Sequence, residues 1–115
     1  MSVVTTLILT VDSNDLPNVE RLNDAVHRQM STKHHYYRLT SLSDHSDIWG
    51  GSKVPQAEVF GGAFNHLDLD QYLSCFQQVA WDSPECMRLM VKSEWDHSFD
   101  VYVWSRAENR LNKVI

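Results

Sequence analysis

The chain is poor in everything that would cross-link it, divide it or anchor it. In 115 residues there are two cysteines, three prolines and four glycines. Two cysteines, Cys75 and Cys86, do not make a disulfide framework. No Pro/Gly-rich stretch is present to act as a linker, and no internal repeat occurs, so one domain is expected. No apolar run approaches the roughly 18 residues that a membrane span needs. Residues 1–10 have neither a basic start nor a small-residue cleavage pattern, so no secretory leader is expected there. The expected compartment is the cytoplasm, with both thiols reduced.

Positive charge is also scarce. Ten Lys and Arg face fifteen Asp and Glu, for a formal net charge of −5. That disfavours a domain built to grip phosphate backbones. Tyr36, Tyr37 and Arg38 are the nearest approach to an aromatic strand for stacking bases, and little basic charge surrounds them. Metal spacings are missing too. His27, His34, His35, His45, His66 and His97 form no HxxxH or HxH pattern, and no CxxC occurs. No metal and no cofactor are therefore expected. Trp49-Gly50-Gly51-Ser52-Lys53 lacks the glycine spacing, preceding strand and following helix of a phosphate loop. Asp44-His45-Ser46-Asp47 spells the letters of a catalytic triad, but triads are assembled from separated segments, and such a run reads as a turn.

What is present is a globular core. The apolar fraction is 43%, the charged fraction 22%, and Trp, Tyr and Phe number four each. Chains of this size bury roughly two-thirds of their unfolded surface without a staple.

The periodicity alternates between strand and helix. Val3 to Val11 is β-branched and apolar, which predicts a central strand covered on both faces or nearly so. Asp12-Ser13-Asn14-Asp15 breaks it with turn and cap chemistry. Leu16, Val19, Leu22, Val26 and Met30 then recur at helical spacing. His35 to Ser43 alternates as a second strand, followed by a loop over residues 44–54. Gln56 to Phe64 is a third strand, in which Gly61-Gly62 predicts a bulge or another backbone passing close. Asp68 and Gln71 have the spacing of a capping box. The stripe Leu69, Tyr72, Leu73, Phe76, Val79 and Ala80 makes a second helix, ended by Asp82-Ser83-Pro84. Met87 to Glu94 and Phe99 to Ser105 form a hairpin through Trp95-Asp96-His97-Ser98.

This order predicts an α+β, ferredoxin-like β-α-β-β-α-β fold with an extra C-terminal strand. Its sheet is antiparallel, with two helices on one face. Residues 1–106 make the single domain and 107–115 a polar C-terminal tail, either irregular or a short helix. The other sheet face has no helix to cover it, and Tyr, Trp and Met are expected there. A homodimer through that face is one way to cover it.

For function, the residues favour a small non-catalytic binding protein over an enzyme. An acidic inhibitor or immunity-type protein, or a regulatory subunit, fits this profile, with a basic protein as partner. Seven acids against two bases lie between His66 and Asp100. The candidate binding residues are Trp49, Asp82, Glu94, Trp95 and Asp96. They form one surface only if the fold brings them together. The alternative is a small enzyme or ligand-binding domain, with a pocket between sheet and helices or at a dimer interface. There His66, with Asp68 and Asp70 close behind, is the candidate general base, and Trp49 is a lid. The bland reading of both acids is helix capping.

Overall fold

The structure is a computed structural model that describes residues 3–30, 37–42 and 50–115. Strand β1, Val4–Asp12, leads through a short 3-10 turn into helix α1, Leu16–Met30. Strand β2 is Thr40–Ser41 and β3 is Ala57–Asn65. Helix α2, Leu69–Phe76, is followed by strands β4 (Arg88–Ser93), β5 (Asp100–Ser105) and β6 (Arg110–Lys113). The six strands form one open antiparallel sheet in the order β2-β3-β1-β4-β5-β6.

The first strand is central, as its apolar run predicts, but among the described residues the helices cover one of its faces and not both. It pairs with β3 along nine positions and with β4 along six. Side chains alternate across a strand, and here the alternation separates two environments. Leu7, Leu9 and Val11 are buried with Phe60 and Phe64 of β3 and Leu89 and Val91 of β4. Both helices seal this face. Val19, Leu22, Ala25 and Val26 come from α1, and Tyr72, Cys75 and Phe76 from α2. A ladder of rings runs from Tyr37 through Phe64 and Tyr72 to Phe76 and Trp81, with centroids 5.2 to 5.8 Å apart. The Tyr72 hydroxyl is buried in this packing with no hydrogen-bond partner among the described residues. Burial raises its pKa, so it stays protonated.

Several local expectations change. Gly61 and Gly62 make no bulge, because the β1–β3 register runs unbroken from Val4↔Asn65 to Asp12↔Ala57. The glycines make room for side chains instead. A Cβ on Gly62 would lie 2.5 Å from the Phe64 ring, and one on Gly61 2.7 Å from Leu42. Helix α2 stops at Phe76, short of Ala80. Asp68 caps its start by accepting from the Gln71 N–H at 3.2 Å. The Gln71 side chain does not reach back to complete a capping box. It donates to the Gln29 carbonyl on α1.

The second strand, expected over residues 35–43, is the two-residue β2. Residues 35, 36 and 43 lie outside the described residues. Asn23 of α1 fixes the chain entering β2, its side chain accepting from Leu39 N–H at 3.0 Å and donating to Leu39 C=O at 3.1 Å. The C-terminal region adds two strands where one was expected. Residues 110–113, read as part of a polar tail, pair with β5 because Leu111 is apolar and buries opposite Trp104.

No helix among the described residues is long and apolar enough to cross a membrane.

Candidate functional site

The sheet has two ends, and the candidate residues divide between them. The Val4 end holds His66 and the turn Glu94–Ser98. The His66 N–H donates to Val3 C=O at 3.0 Å, and the Glu94 N–H donates to Val4 C=O at 2.9 Å. The Asp12 end holds Asp82, whose N–H donates to Asp15 at 2.7 Å. Nine residues of β1 separate the ends, a span of roughly 27 Å at about 3.3 Å per residue. Glu94, Trp95 and Asp96 therefore share a surface that Asp82 does not reach. Trp49 lies outside the described residues.

Both acids of that turn hold backbone. Glu94 accepts from Val4 N–H at 2.8 Å. Asp96 accepts from Ser93 N–H at 3.1 Å. Trp95 between them is 63% exposed.

His66 occupies a turn. It is exposed, with φ at +57°, in the left-handed region that redirects the chain from β3 toward α2. Its carbonyl accepts from the Tyr37 hydroxyl at 3.2 Å. Of the two acids behind it, Asp68 caps α2 and Asp70 sits in the helix's first turn. Cys75 is buried, and burial raises the pKa of its thiol against an opposing pull from Arg28, so the protonated form is favoured. Among the described residues, no group of three or more His, Cys, Asp or Glu is placed to hold a metal ion.

Two further surfaces emerge. The first is a groove where the β5–β6 hairpin extends past α2. It has a volume of about 390 Å³, with Tyr102 and Leu111 on the sheet side and Leu73 and Gln77 on the helix side. Burial raises the Tyr102 pKa, Asp100 and Asp70 add to the rise, and Lys113 opposes it. The hydroxyl is thus kept as a hydrogen-bond donor. A second hollow of about 350 Å³ adjoins it at Gln77, between Trp81 and Trp104.

The second surface is the sheet face turned away from the helices. Register places Val4, Thr6, Ile8 and Thr10 of β1 on it, beside Val59 and Ala63 of β3, Met90 of β4, and Val101 and Val103 of β5. All except Ala63 are half-buried by their sheet neighbours, and no other described element packs over them. Leu42, 62% exposed, extends the apolar surface over Gly61. Tyr and Trp were expected here, but Tyr102 and Trp104 are on the other side. Tyr102 pairs with Leu89 and Trp104 with Leu111, in the helix-side layer. Among the described residues, the expectation holds for Met90 alone. The open face is thus β-branched and aliphatic, with Arg88 and Lys92 as the charges that β4 contributes to it.

Compared with known proteins, the chain matches no family model, no curated protein and no solved structure.

Proposed function

We propose that this chain is a non-catalytic binding protein that works by protein–protein contact through its open sheet face, in a regulatory or inhibitor-type role. One observation carries the reading. Four adjacent strands present Val4, Ile8, Val59, Met90, Val101 and Val103 as one apolar surface, while the opposite face already has its helical layer. Contiguous apolar surface of this kind marks interaction sites in proteins that otherwise keep apolar groups inside. The net charge of −5 favours a partner, or partner region, of basic character at the rim, where Glu94, Trp95 and Asp96 stand. A ferredoxin-like relationship for the first four strands belongs to the same proposal. It is supported by the order β2-β3-β1-β4, with a helix after β1 and a helix after β3.

The groove beside Tyr102 supports a second reading, a ligand-binding domain. Its volume of about 390 Å³ lies within the range of small-molecule sites. His66 as a general base has weaker support, since it stands in an exposed turn beside a carboxylate that caps a helix.

A photo-crosslinking residue separates the two surfaces. Placed at Val103 on the open face and, in a second protein, at Ser74 in the groove, it is irradiated in cells that make the protein. The proposal expects protein adducts from position 103 and none from position 74. Adducts from position 74 alone, or from neither, contradict it.

A further inference from the structure

We infer that the occupant of the open face is a second copy of this chain, packed sheet to sheet about a two-fold axis. The inference rests on the proposed binding role of that face and names its partner. Two observations favour a second copy.

The first is area. Strands about 4.8 Å apart and roughly 20 Å long give a six-stranded face of about 500 Å² in projection. Two such faces together remove about 1,000 Å², and side-chain relief adds to this, which reaches the level of a specific interface. A second copy supplies a face of matching size, matching twist and the same β-branched character, the geometry in which sheets pack about 10 Å apart with strands nearly aligned.

The second is charge. Along β4, Arg88 stands at the first position, and Glu94 and Asp96 lie just beyond the last. A two-fold axis in the interface and perpendicular to the strands turns one β4 antiparallel over the other. Arg88 of each copy then lies toward the Glu94–Asp96 end of its partner. Such an isologous contact sets two pairings of Arg88 with the partner's acidic end against one approach of Lys92 to its own counterpart near the axis, where each Lys92 ammonium donates to its own Ser93 carbonyl at 3.3 Å. The Arg88 guanidinium already lies against the carbonyls of Glu85 and Met87, at 3.0 and 2.8 Å, which fixes its charge at that end.

The test is the mass in solution by light scattering behind a sizing column, for the wild type and three variants. Ile8→Lys puts a charge at the centre of the face. Arg88→Glu is an exposed change that leaves the core untouched, and it covers the case in which Ile8→Lys fails to fold. Ser74→Lys, in the groove, is the control. The inference expects a dimer for the wild type and for Ser74→Lys, a monomer with unchanged circular dichroism for Ile8→Lys, and dissociation of Arg88→Glu at about tenfold higher protein concentration. A monomeric wild type overturns it. So does a dimer indifferent to both open-face changes, which has formed through another surface. If the wild type is monomeric while position 103 still crosslinks to a different protein, the second copy is excluded and the binding role of the face survives. If position 103 yields nothing as well, both fall.

Discussion

Phe76→Ala should lower the free energy of unfolding by about 3–5 kcal/mol, the range for truncating a fully buried phenylalanine. Phe76 is 0% exposed. Its ring stands edge-on to Tyr72 with centroids 5.7 Å apart and stacks against Trp81 at 5.8 Å. Removing it leaves a cavity between Tyr72 and Trp81 in the ring ladder and takes the support from Trp81, whose indole N–H donates to the Phe76 carbonyl at 2.9 Å. Neighbouring rings are stiff, so little of that cavity can collapse. Small domains have only about 5–15 kcal/mol to lose, so this is a large share of the whole stability. Urea titration followed by tryptophan fluorescence reads the loss as a lowered midpoint with an unchanged slope. A loss below about 1 kcal/mol would mean that the ladder is not packed as described.

Asp15→Ala should cost about 2–4 kcal/mol, for a different reason. Asp15 is 1% exposed, and its carboxylate accepts three hydrogen bonds. One comes from the Asn18 side chain at 2.7 Å, and the others come from the N–H groups of Asp82 and Ser83 at 2.7 and 2.9 Å. The side chain thus ties the start of α1 to a loop 67 residues further along the chain. Charge-assisted bonds are the strong ones, and the deletion leaves three donors without their acceptor. Asp15→Asn should recover part of the loss. It keeps one oxygen but points an N–H₂ group at a site made of donors. Thermal or urea unfolding of the two variants side by side gives the order wild type, Asn, Ala. Equal stability of wild type and Ala would contradict the clasp.

These two residues also show how far the sequence could be read. Phe76 is legible because the helical stripe that begins at Leu69 depends only on local spacing, and α2 buries Tyr72 and Phe76 of that stripe. Asp15 has the composition of a turn residue in Asp12-Ser13-Asn14-Asp15, and nothing local indicates that its partners lie at Asp82 and Ser83. The same limit divides the candidate site. Glu94, Trp95 and Asp96 are neighbours in the chain and stay neighbours in space. Asp82 joins them on the basis of charge alone and lies across the length of β1. The open face was legible as an uncovered layer, since right-handed crossovers in this element order place both helices on one face of the sheet. Its composition was misassigned, because the facing of β5 depends on the β4–β5 register. Leu89 opposite Tyr102 sends the aromatic set inward, and Val101 and Val103 outward. Leu111 was passed over inside a polar stretch, where four residues give too short a pattern to announce a strand.

The most direct test of a second copy on the open face uses the methionines. Met90 is half-buried on that face, while Met87 is 1% exposed. Oxidation of the purified protein by dilute peroxide, followed by peptide mass analysis, gives the rate at each sulfur. With the face occupied, Met90 should be protected at high protein concentration and become reactive on dilution, while Met87 stays slow throughout. A Met90 that oxidises at one rate over the whole concentration range would contradict the account.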